Sequence, residues 1–167
     1  MKKYEFTGEV NMFLGKELHR IRACVSFGNV AKGDEGGWIE KEENLSHDGN
    51  AWVYGNARVY GNAWVDGNAR VYGNARVDGN TRLLTIGAIG SREDTTTFCY
   101  AVGGKIQVDC GCFRGTIEAF AEKVKETHGD NKYAKQYGLA IELAKLTICT
   151  DKAEGEDGER KVLEDAQ

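Results

Sequence analysis

Between Gly49 and Leu84 the chain repeats a six-residue pattern in which the apolar and polar positions keep their places. The third position is small (Ala51, Ala57, Ala63, Ala69, Ala75, Thr81) and the fifth is aliphatic (Val53, Val59, Val65, Val71, Val77, Leu83). Positions two apart share one face of an extended strand, so these side chains form an interior. The residue between them (Trp52, Arg58, Trp64, Arg70, Arg76, Arg82) must point away from it. Gly and Asn at the first two positions both tolerate a left-handed backbone, which supplies a corner between successive strands. So short a period predicts a solenoid, each phrase forming one side of a prism.

The pattern differs on either side. Residues 1–36 read as a β cap, with strands around Tyr4 and over residues 18–25, because a solenoid needs its first open edge covered. After residue 84 an alternating strand over 95–102 turns at Gly103 and Gly104 into a second over 105–110. That predicts a hairpin with Ile106, Val108 and Cys110 inward and Lys105, Gln107 and Asp109 outward. Thr116 is a good N-cap for a helix reaching His128 and closed by Gly129, and a second helix is predicted from about Asp130 to Leu146. The expected organisation is a cap (1–36), a repeat (37–84), a ββαα unit (85–148) and an acidic disordered tail (149–167).

The phrase Val-x-Gly-Asn-Ala-x resembles the hexapeptide repeat of left-handed parallel β-helix proteins. The resemblance reaches back weakly over residues 37–48, where Ile39 and Leu45 fall in the small-residue phase. It implies a mainly β fold, a short left-handed parallel β-helix followed by a β-hairpin and two helices. It also implies coils of about 18 residues, so that Trp52 stacks on Arg70, Trp64 on Arg82, Arg58 on Arg76, and Asn50 on Asn68. Outer faces carrying Trp and Arg without Lys match the composition of protein interfaces, so Trp52, Arg58, Trp64, Arg70, Arg76 and Arg82 are expected at a homo-oligomer contact, with a trimer favoured. Well-known members of that class are acyltransferases with a histidine general base. His47 is the candidate here, against which stand the small number of coils and the lack of a long loop leaving them.

Composition narrows the function classes. The 167 residues suffice for one compact domain or two small ones. No apolar run is long enough for a membrane helix and the first residues lack a signal-peptide core, so a cytoplasmic protein with no membrane partner is expected. Five irregularly spaced cysteines agree with reduced thiols. Residues 151–167 carry seven acids against three bases, which accounts for the whole net charge of −4. The body is formally neutral and offers no basic field to duplex nucleic acid.

The candidate chemistry lies after the repeat. Gly87, Gly90, Ser91 and Arg92 follow a strand, Thr95, Thr96 and Thr97 supply hydroxyls, and the run from Cys110 through Phe113 and Arg114 to Thr116 leads into a helix N-terminus. Together these could cradle an anion, with Arg92 or Arg114 as a bidentate fork and Phe113 or Tyr133 stacking a base. The competing reading makes the glycines hairpin geometry and the threonines a solvated strand face. Cys110 and Cys112, with Cys99 and His128, admit a metal reading that their Cys-x-Cys spacing disfavours, and Cys112 a thiolate one. No cofactor motif is present, and neither a cofactor nor a metal is expected.

The chain resembles uncharacterised phage and prophage proteins in its repeat and in phrases such as Ile86-Gly-Ala-Ile-Gly-Ser-Arg92, Cys110-Gly-Cys-Phe-x-Gly-Thr116 and Thr127-His-Gly-Asp-Asn-Lys-Tyr133. The resemblance implies a phage origin but no reaction. Other small phage proteins sequester nucleotide signals of bacterial defence. The leading expectation is therefore a non-catalytic homo-oligomer holding a small anionic, nucleotide-like ligand. The alternatives are a structural or adaptor trimer and an enzyme acting on an acyl group or a nucleotide.

Overall fold

The computed structural model describes residues 1–79 and 82–148. The expected disordered tail, Cys149, Asn80 and Thr81 lie outside the described residues. The chain starts with a hairpin of β1 (Tyr4–Phe13) and β2 (Lys16–Ala23). Leu14 and Gly15 turn it, both with positive φ, as a two-residue hairpin loop requires. Strand β3 (Glu35–Ile39) then pairs antiparallel with β2 on one side and parallel with β5 (Arg58–Val59) on the other.

From there the chain coils. Strands β4 (Trp52–Val53) and β6 (Arg70–Val71) form one parallel ladder; β3, β5 and β7 (Arg76–Val77) form a second, and Leu45 bridges Val65 on a third side. The five alanines and five valines of the described repeat are buried at 5 % exposure or less, so the interior read from the period is the interior found. Asn50 Nδ2 donates to Asn68 Oδ1 at 3.1 Å, stacking the corners. Tyr54 and Tyr72 stack at 4.0 Å with nearly parallel rings.

The first coil departs from the period. Trp38 pairs with Arg58 and Leu45 with Val65, 20 residues on, whereas Trp52 pairs with Arg70, 18 on. The two extra residues fall in the corner at 46–49. Ile39 and Leu45 therefore stack on Val59 and Val65 in the aliphatic phase, which corrects the small-residue phase expected for them. Gly36 and Gly37 occupy the narrow approach there. A Cβ on Gly37 would lie 2.6 Å from the Ala57 carbonyl oxygen, and one on Gly36 2.7 Å from the Trp52 ring.

The outward-facing residues are corrected too. Trp52 is fully buried: Tyr4 and Phe27 meet its ring edge-on, at 6.2 and 5.4 Å between centroids. It points out of the coil, but residues 1–35 fold onto that face. Arg58 and Arg76 stack on each other's ladder as expected, yet both guanidiniums lie over Phe13 from the hairpin, at 4.6 and 4.8 Å. Arg70 reaches Asp109. Arg82 does not stack on Trp64, because the chain has already left the coil: its carbonyl accepts from Tyr100 N–H, and its buried guanidinium lies 4.1 Å from the Tyr100 ring and pairs with Asp78. Of the six expected interface residues only Trp64, 66 % exposed, presents a large free surface.

The last coil is covered by a four-stranded antiparallel sheet in the order β11-β10-β9-β8, made of β8 (Leu83–Ile89), β9 (Asp94–Ala101), β10 (Lys105–Cys110) and β11 (Phe113–Thr116). Arg70 N–H donates to Thr97 Oγ1, and Ala75 bridges Ala101. The other face of the sheet packs on α1 (Ile117–His128) and α2 (Lys132–Thr147) through Phe98, Tyr100, Ile106, Val108, Phe120 and Ile141. The sheet is thus covered on both sides. Asp109, expected on a wet face, is buried at 4 % exposure because that face meets the coil.

Candidate functional site

Two tight turns and one helix face build a cleft at the outer end of the sheet. The turn between β8 and β9 carries Ser91, Arg92 and, at the strand start, Asp94; the turn between β10 and β11 carries Gly111 and Cys112. Helix α1 contributes Phe120, Lys123, Val124, Thr127 and His128, spaced three and four apart and therefore on one side of the helix. Phe113 and Tyr137 complete a cavity of about 380 Å³.

Gly90 sets the first turn. Its φ is +77°, its N–H donates to Gln136 Oε1 at 2.9 Å, and a Cβ would overlap the Tyr137 hydroxyl. Behind the cleft, Thr96 Oγ1 donates to Cys110 Sγ at 3.2 Å, and the Cys110 thiol donates to Tyr137 Oη at 3.7 Å. Burial pushes the Tyr137 phenol well above its ordinary value, so it stays protonated at neutral pH. Phe120 packs against Phe113 and Tyr137 at 5.1 and 5.3 Å, giving an aromatic floor. Arg92, Lys123 and His128 stand around it against Asp94, with Lys123 also bridging Glu126 at 3.2 Å.

The sequence-derived site residues divide. Ser91, Arg92 and Phe113 line this cleft. Thr95 lies half-buried on β9, its N–H donating to Asp94 Oδ1. Thr96 and Thr97 are buried rather than solvated, Thr96 against Cys110 and Thr97 against the coil, because successive strand residues face opposite sides of a doubly covered sheet. The same alternation separates Arg114 from Phe113. Arg114 lies on the coil side, 3.9 Å over the Tyr72 ring with Nε 3.1 Å from Asp109 Oδ2, so Arg92 and Arg114 do not grip one anion. Thr116 caps α1, its hydroxyl accepting from Ala119 N–H. Tyr133 packs against His128, 5.7 Å between centroids, outside the cleft lining.

Lys123, Thr127 and Tyr137 are not among the site residues singled out from the sequence, and His128 is considered there only as a metal ligand. The three- and four-residue spacing from Phe120 to His128 is the signal that sets them on one side of the helix. The metal alternative loses its geometry: Cys99 belongs to the coil-side core and Cys110 to the helix side, and among the described residues no three His, Cys, Asp or Glu side chains gather as a metal site. His47 is engaged at the joint of hairpin and coil. Its Nδ1 accepts from Lys3 N–H at 3.2 Å and its ring stacks on Tyr4 at 4.3 Å.

Residues 50–67 and 69–83 match the YdcK beta solenoid repeat. The chain is also 36 % identical over 62 residues to a protein named "Uncharacterized acetyltransferase YdcK" from Escherichia coli (strain K12). That match covers 32 % of this chain and 19 % of the relative. The repeat match coincides with the stacked coils and ends where β8 begins, so the cleft lies outside it. Among the described residues no helix is long and apolar enough to cross a membrane.

Proposed function

We propose that this protein binds, without transforming it, a small anionic ligand with a flat apolar part, of the nucleotide type, in the cleft between the two sheet turns and α1. What carries the reading is the convergence of Arg92, Lys123 and His128 around the floor of Phe113, Phe120, Val124 and Tyr137, in a volume suited to a small organic ligand. Arg92 and Lys123 at the rim meet the charge while the aromatic floor takes the flat part. Sequestration of a nucleotide signal, as other small phage proteins carry out, is the form of this reading that we favour. Self-association belongs to it as well, with Trp64 as the exposed aromatic at the contact.

Native mass spectrometry of the untagged protein, as purified and after exposure to mono-, di- and cyclic nucleotides, tests it. A bound mass that is retained by the wild type and lost in Arg92→Ala and Lys123→Ala supports the reading. A chain that stays bare in every mixture overturns it.

Acyl transfer is a second reading, favoured by the similarity to the E. coli protein named as an uncharacterized acetyltransferase. His128 is then the candidate base, since it borders the cleft while His47 is engaged with Lys3 and Tyr4. Release of free thiol from acetyl-coenzyme A that depends on an added amine or hydroxyl acceptor, with the acetylated acceptor formed in step, by the wild type but not by His128→Gln would establish it.

A further inference from the structure

Separating Arg114 from Arg92 leaves Arg114 in a cavity of its own. Arg70, Tyr72 and Gly73 of the last coil face Cys99, Gln107, Val108, Asp109 and Arg114 of the sheet across about 200 Å³. The Asp109 carboxylate, 4 % exposed, meets Arg114 Nε at 3.1 Å and Arg70 Nη1 at 3.7 Å, so two guanidiniums share one carboxylate and the cavity has a formal charge of +1. Gln107 Oε1 is buried and accepts no hydrogen bond from any of the described residues. A buried acceptor left without a donor is costly, and the amide dipole of Gln107 stands beside Gly73, where a side chain would crowd it. Arg114 is half-exposed, its guanidinium resting on the Tyr72 ring, so the cavity borders solvent at Arg114.

These features specify a ligand chemistry. The surplus positive charge calls for a monoanion, and the fork of Arg114 with Arg70 suits a carboxylate. The unfilled acceptor calls for a hydroxyl donor close to that carboxylate. At about 30 Å³ per water, 200 Å³ holds roughly six or seven waters, which limits the ligand to a few carbons. We propose that this cavity is a second binding site, for a small 2-hydroxycarboxylate, with Arg114 and Arg70 taking the carboxylate and Gln107 Oε1 accepting from the hydroxyl. The site is independent of the cleft, lying on the opposite face of the sheet.

Lactate, propionate and alanine form a matched set of probes: the same size, with a hydroxyl, a hydrogen or an ammonium at one carbon. The readout is the Gln107 side-chain amide and the Arg114 Nε–H signal in nitrogen-15 spectra of the full chain. Lactate should shift both saturably, propionate should bind about tenfold more weakly for want of the donor, and alanine more weakly than lactate for want of net charge. Arg114→Gln, at a half-exposed position, should fold and lose lactate binding by at least about tenfold while leaving any nucleotide bound in the cleft untouched. Equal binding of propionate overturns the role of Gln107, and tighter binding of alanine overturns the charge argument. No shift with any probe at millimolar concentration makes Arg70, Asp109 and Arg114 a fastening between coil and sheet and overturns the proposal.

Discussion

Single residues here are constrained mostly by what approaches them from elsewhere in the chain. Gly90 combines a positive φ with a position against the Tyr137 hydroxyl. Gly90→Ala is expected to displace Tyr137 and lower stability by about 1–3 kcal/mol, read from the urea midpoint, with loss of cleft binding. Lys3 shows a charge placed at a cost. Its ammonium donates to the Ala51 carbonyl at 2.9 Å and lies 5.0 Å from the Phe27 ring, and burial lowers its pKa from 10.5 to about 8, with Asp48 opposing. Between those values the unfolded chain keeps a proton that the folded chain has released, so the contribution of Lys3 to stability rises with pH across that window. Urea unfolding at about pH 7 and about pH 10 should therefore show wild type gaining relative to Lys3→Met. The reverse change would mean that the ammonium is better paired in the folded state than its burial implies.

At the level of elements, the N-terminal hairpin behaves as part of the solenoid. Its strands continue the β3-β5-β7 ladder into one five-stranded sheet, and its aromatic residues enclose Trp52 and the two arginines of β5 and β7. Trp52→Ala should cost about 3–5 kcal/mol, since it empties the seam between hairpin and coil. Trp64→Ala removes a side chain of the same type from the same position of the repeat, but one that is exposed. Its stability should change by less than about 0.5 kcal/mol. If self-association runs through that face, Trp64→Ala lowers the mass found by sedimentation, and an unchanged mass rules the face out. The repeat made these two tryptophans equivalent in the sequence, and only the folding of residues 1–35 over one of them separates their roles.

In the whole molecule, a sheet buried on both faces joins two hydrophobic cores, and the Asp109 carboxyl lies buried at that joint. Desolvation raises its pKa despite two arginine neighbours, so burial outweighs pairing. Asp109→Asn removes the carboxylate shared by Arg70 and Arg114, and a loss of about 1–3 kcal/mol is expected, measured by thermal unfolding. A neutral outcome would show that the neighbouring guanidiniums are equally well solvated without it.

The repeating interior, its corners, the hairpin at Gly103 and Gly104 and the first helix from Thr116 to Gly129 were legible because each follows from local rules: a period of two, a period of 3.6, and residue types that tolerate turns or cap helices. Ser91, Arg92 and Phe113, singled out for their chemistry beside those turns, line the cleft. What tertiary structure decided was the meaning of "outward". Trp52, Thr97 and Asp109 point away from their own element in accord with the sequence, yet other parts of the chain cover them. Local periodicity specifies which way a side chain faces; whether it meets water, a second layer or a ligand depends on contacts between residues far apart in the chain, which no period encodes.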